Sequence, residues 1–132
     1  MRYMLMINVP HATGDYQHSA WPPDDVRTHM AYLGRLNGEL ATAGELVGVQ
    51  ALTPPGGARI VRAGESGAPA VTDGPFPEAK EFLAGYWMID VDRPARAYEI
   101  AARASAAPGP GGAPLELPIE VRAIMTRRAS DV

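Results

Sequence analysis

Apolar and polar residues alternate along this chain in blocks whose period moves from two to nearly four and back. Those changes mark its elements. In Arg2 to Val9, Tyr3, Leu5, Ile7 and Val9 fall on one strand face and Met4, Met6 and Asn8 on the other. Both faces are largely apolar, so this strand is expected at the centre of a sheet and covered on both sides. From about Pro23 to Ala43 the period becomes helical, with Val26, Met30, Leu33, Leu36 and Leu40 forming one buried stripe. Asp24 and Asp25 suit the amino end of that helix and Gly44 its close. On the same wheel His29 falls inside the stripe, away from Arg27 and Glu39.

Strand character returns in Glu45 to Thr53, and Pro54-Pro55-Gly56-Gly57 reads as a turn. Ala58 to Ala63 and Ala68 to Thr72 read as a hairpin around Gly64-Glu65-Ser66-Gly67. A rigid corner follows, because Asp73-Gly74 is a turn dipeptide and Pro75 cannot donate a ladder hydrogen bond. Pro77-Glu78 suits the opening of a short helical turn, and Leu83 to Val91 resumes the sheet. Asp92 is placed to cap a second helix, with Pro94 in its first turn and Ala97, Ile100, Ala101 and Ala104 on its inner side. A proline- and glycine-rich loop, Ala106 to Pro114, leads to a last strand, Ile119 to Met125. Two strand–helix–strand units with an inserted hairpin predict an α+β domain, a ferredoxin-like split βαβ with an antiparallel sheet. Helices of such a domain cover one sheet face. The second apolar face predicts a homodimer with sheets packed face to face.

Composition narrows the picture. The 132 residues make a single domain, 1–132. A net charge of -3 without a lysine–arginine cluster argues against a nucleic-acid surface. With no cysteine there is no disulfide, thiolate nucleophile or cysteine-type zinc site. Neither a signal peptide nor an apolar run of membrane-spanning length is read, so the expectation is a soluble, cytoplasmic protein with no membrane contact.

The candidate chemistry centres on His29 and Asp73. A histidine titrates near neutrality and a neighbouring carboxylate orients it, a pair that moves protons and typically contributes roughly 10²–10⁴-fold in rate. Each has a plainer reading: His29 as a core histidine hydrogen-bonded to backbone, and Asp73 as a turn aspartate bonding the amides after Gly74. Tyr86 and Trp87 are candidates for the wall of an aromatic-ligand pocket, or are ordinary core aromatics. Arg122 is placed to grip a substrate carboxylate, or to pair with Glu120 on the same strand face. His11 and His18, with Asp15 between them, match no metal motif, and Pro54 to Gly57 is no phosphate loop. Neither a metal nor another cofactor is expected.

Several stretches resemble one family. Met1-Arg2-Tyr3-Met4-Leu5-Met6-Ile7, Val71-Thr72-Asp73-Gly74-Pro75-Phe76, Glu78-Ala79-Lys80-Glu81, Gly85-Tyr86-Trp87-Met88-Ile89-Asp90-Val91 and Ile119-Glu120-Val121-Arg122 look like the DGPF branch of the YCII-related proteins. The resemblance runs nearly end to end and implies a dimeric α+β barrel. In the broader family a histidine on the first helix and an aspartate near the strand–turn corner form a proposed acid–base pair. One branch eliminates chloride from a halogenated aromatic ring. Asp73 matches the motif's aspartate, and His29, within Arg27-Thr28-His29, resembles the helix histidine. The resemblance thus implies a cofactor-independent isomerase or lyase acting on a small aromatic or carboxylate ligand in a cleft near Asp73. Its alternative is a non-enzymatic ligand-binding or regulatory accessory protein, for example a partner in alternative-sigma-factor signalling.

Overall fold

The elements run in the order β1 (Arg2–Pro10), α1 (Pro23–Thr42), β2 (Leu46–Ala51), β3 (Arg59–Ala63), β4 (Pro69–Asp73), β5 (Glu81–Asp90), α2 (Pro94–Ser105) and β6 (Ile119–Ala123). The computed structural model describes residues 1–10, 20–74 and 79–126. The expected helical turn at Pro77-Glu78, together with His11, Asp15 and His18, lies outside the described residues.

β1 pairs antiparallel with β5 on one side and β6 on the other, and β2 adds to the far side of β5. The resulting order, β2-β5-β1-β6, is that of a ferredoxin-like α+β domain. The β1–β5 register shifts between Ile7 and Asn8, where Ile7 faces Gly85 and Asn8 faces Leu83. β3 and β4 form a separate two-stranded sheet whose central rung, Val61 opposite Val71, is more than half exposed.

The core lies between one face of the large sheet and the two helices. Tyr3, Leu5, Ile7 and Val9 of β1 are buried there, as are Trp87 and Ile89 of β5, against Leu36 and Leu40 of α1. Ala97, Ile100, Ala101 and Ala104 of α2 complete it, the inner side expected from their spacing. Burying each large aliphatic side chain is worth about 1.5–3 kcal/mol, so this layer holds the fold together. Met4, Met6, Tyr86 and Met88 occupy the opposite sheet face, half-buried, and Glu120 and Arg122 stand exposed beside them.

Two local expectations are corrected. Within α1 the buried residues are His29, Leu36 and Leu40, while Met30 is 54 % exposed. The helix is turned so that His29 meets neighbouring structure and Met30 overhangs a gap above the sheet. The amino-terminal cap of α2 is Arg93, in extended conformation, and not Asp92. No side chain caps this end; Pro94, at the first helical position, has no N–H of its own to satisfy, and the Arg96 N–H donates to the Arg93 carbonyl at 3.1 Å.

Arg96 on α2 ties the start of β2 to the helix layer. Its Nε and Nη2 each donate to the Glu45 carboxylate at 2.8 Å, and Nη1 reaches Glu99 at 3.2 Å. The hydrogen bond from Arg96 holds the Glu45 carboxyl below its usual value of 4.5; burial opposes this, and the charges of Arg96 and Arg93 reinforce it. A depressed folded-state value means stability that is fully present above the unfolded pKa and lost as pH falls through the folded one. Arg96→Met is therefore expected to lower stability by about 1 kcal/mol at neutral pH. The difference from the parent should hold steady above about pH 5 and shrink as pH falls below 4.5, which urea denaturation across pH 3–7 would measure.

Candidate functional site

A cavity of about 220 Å³ opens between α1 and the β2–β5 half of the sheet. Its lining includes Met30, Leu33, Gly34 and Asn37 from α1, and Ile7, Val49, Ala84 and Trp87 from the sheet. Met30, Gly34 and Asn37 share one helix face through their i, i+4, i+7 spacing. Gly34 has no side chain, and a Cβ built on it would meet nothing within 4 Å. The helix therefore bridges this part of the sheet without filling the space beneath it.

Trp87 is 3 % exposed, and its indole Nε1–H donates to Asn37 Oδ1 at 2.8 Å. A buried indole needs an acceptor, so this bond fixes the ring beneath α1. The tight approach of β2 to β5 at Gly85 bounds the cavity at the sheet. A Cβ there would lie 2.9 Å from the Gln50 carbonyl oxygen, so only glycine fits. Gln50, Ala51 and Tyr86 complete that side of the lining.

A second, larger cleft of about 430 Å³ lies between the β2–β3 connection and the start of β5. Leu52, Pro54 and Pro55 line it on one side and Ala79, Glu81 and Phe82 on the other. It sits beside the Asp73 corner, since Gly74 N–H donates to the carbonyl of Ala58, another lining residue, at 3.0 Å.

Asp73 is the last residue of β4, and its side chain points into solvent, 96 % exposed. Its carboxylate lies 3.6 Å from Arg59 Nε. The Gly74 amide is bonded to Ala58 and not to Asp73.

His29 is 2 % exposed, with Nδ1 at 2.9 Å from the Pro108 carbonyl oxygen. A carbonyl only accepts, so Nδ1 carries the proton and donates it. The Trp21 ring meets His29 edge-on at 5.3 Å. Nearby, the Asp25 carboxylate accepts from Gly111 N–H at 3.1 Å and Tyr32 O–H donates to the Arg103 carbonyl at 2.8 Å. These bonds fasten α1 to α2 and to the loop after it.

Among the described residues no hydrogen bond or ion pair joins His29 to Asp73. His29 is also absent from the lining of the cavity under α1. The structure keeps the two apart: His29 is built into the core and Asp73 stands on an exposed hairpin. Of the two expected aromatics, Trp87 faces the helix layer and Tyr86 the open sheet face, as alternate strand residues must. Arg122 and Glu120 are exposed on β6, and neither enters an ion pair among the described residues.

Sequence reasoning missed Gly34 and Asn37. The available signal was a glycine inside a strong helical pattern followed three residues later by an amide at the edge of the apolar stripe. Among the described residues there is no metal-binding cluster and no helix long and apolar enough to cross a membrane.

A family model for the YCII-related domain matches residues 1–112. The match is to the family and does not distinguish its DGPF branch. No curated protein matches the chain significantly.

The geometry separates the two residues by their effect on stability. His29→Ala removes a buried hydrogen bond and leaves a cavity, so it should cost about 2–4 kcal/mol in urea denaturation. Asp73→Asn changes an exposed side chain and should stay within about 0.5 kcal/mol of the parent. Equal losses for both would contradict this placement.

Proposed function

The chain belongs to the YCII-related domain family, and from that premise we propose that it binds a small organic molecule in the cavity beneath α1, as a homodimer. The observation that carries this reading is the indole of Trp87, locked by Asn37 at one wall of a mostly apolar cavity. A concave, mostly apolar surface with a few fixed polar groups is what small-molecule sites consist of. Binding without turnover is also the mode in which a regulatory accessory protein would act.

Acid–base turnover of the isomerase or lyase type is the second reading, and it rests on the buried imidazole of His29. It requires another group to supply the carboxylate, since Asp73 of the same protomer lies against Arg59. On this reading the carboxylate comes from Asp73 of a second protomer, a residue that stands exposed at the end of β4.

Dimerisation through the open sheet face is supported by the row of Met4, Met6, Tyr86 and Met88, which the helices leave uncovered. A two-fold contact there is self-complementary in charge, because Glu120 and Arg122 stand together on the adjoining strand. Sedimentation equilibrium should give a dimer, and Met6→Lys should reduce it to a folded monomer. A monomeric parent protein would overturn the assembly.

The binding claim is tested by the indole ¹H–¹⁵N resonance of Trp87, assigned with the help of Trp21→Phe. Adding a set of single-ring aromatic compounds should shift this resonance saturably for at least some members. No shift with any member would remove the cavity as a binding site.

A further inference from the structure

We propose that Gly34 and Asn37 set the ligand class of this cavity. Gly34 is the aperture that admits a flat ring, and Asn37 is the donor that selects neutral ligands carrying a hydrogen-bond acceptor. The proposal rests on the binding reading above and deepens it.

The Trp87 indole fixes how the Asn37 amide is turned. An indole N–H can only donate, so the atom of Asn37 facing it at 2.8 Å is the carbonyl oxygen. The amide hydrogens are left over. They have no hydrogen-bond partner among the described residues, and Asn37 lines the cavity. A ligand carbonyl or other acceptor there would satisfy a donor already held in place by the bond on its other side, so little ordering is lost on binding.

The lining also excludes charge. It contains no aspartate, glutamate, histidine, lysine or arginine among the described residues. A charged ligand would lose water against apolar walls and gain no counter-charge, which is strongly unfavourable. Neutral compounds are left.

Gly34 accounts for the flatness. A glycine inside a helix costs about 1 kcal/mol relative to alanine, and α1 carries two, Gly34 and Gly38. A Cβ at either position would meet nothing within 4 Å, so packing demands neither glycine. Only Gly34 lies in the cavity lining. A methyl group there would add bulk to the helix side of a cavity that Trp87 also lines. Met30, one turn earlier and 54 % exposed, supplies a flexible thioether that can fold over a bound ring.

The test uses acetophenone, ethylbenzene, aniline and benzylammonium, followed by the Trp87 indole resonance. Acetophenone, neutral and accepting, should bind roughly threefold to tenfold tighter than ethylbenzene, the scale of one net hydrogen bond. Benzylammonium should bind more weakly than either. Asn37→Asp keeps the oxygen that accepts from Trp87, so the indole resonance should report an intact fold, while the donor is gone. Acetophenone should then lose its advantage, and benzylammonium, which now finds a counter-charge as well as an acceptor, should gain most among the probes, ahead of aniline.

Gly34→Ala and Gly38→Ala should both raise the melting temperature. Gly34→Ala alone should weaken acetophenone, by at least about threefold. Equal affinities for acetophenone and ethylbenzene in the parent would overturn the assignment of Asn37. Equal affinities in the two alanine variants would overturn that of Gly34. If no probe shifts the resonance, the cavity itself is not a site, an outcome distinct from binding without selectivity.

Discussion

A buried indole N–H must have an acceptor, and in this chain that requirement sets the distance between helix and sheet. Trp87 lies on the helix-facing side of β5, so its partner has to come from α1, and Asn37 supplies it at 2.8 Å. The hydrogen bond holds the middle of α1 above the sheet, while Leu36 and Leu40 draw its carboxyl-terminal half down into the core. The space left under Gly34 is the cavity. Fold and candidate site thus depend on the same contact, because replacing Trp87 by a smaller apolar residue would release the constraint on both.

The fold was legible in the sequence to the extent that burial follows period. β1 alternates so regularly that its central place and the division of its residues between two faces could be read directly, and both are observed. The four inner residues of α2 were legible for the same reason. The reading failed at the margin of a stripe. On α1, Met30 stands at the edge of the apolar stripe and is left exposed, whereas His29, read inside the stripe, is buried. The structure buries His29, because its Nδ1 proton meets the Pro108 carbonyl from a loop seventy-nine residues away. No local pattern contains that partner. Asp92 was expected as a cap, yet the helix opens one residue later, with Arg93 at the cap position and Pro94 as its first residue.

The candidate site was less legible. His29 and Asp73 each have a residue type suited to acid–base chemistry, but type does not bring side chains together. Asp73 belongs to a hairpin that leaves the main sheet, and its carboxylate lies against Arg59 across the β3–β4 ladder. Trp87 was legible as a ring on a strand, while the direction it faces depends on register. Asn37 and Gly34 were hidden because neither carries chemistry on its own. One matters through the oxygen it gives to Trp87, the other through what it omits.

Intermolecular nuclear Overhauser effects from bound acetophenone would locate the ligand most directly. Contacts to the Met30 methyl and to the Trp87 indole, lost in Gly34→Ala, are what this account requires. Contacts to Leu52 and Phe82 instead would place the ligand in the cleft beside the Asp73 corner and contradict it.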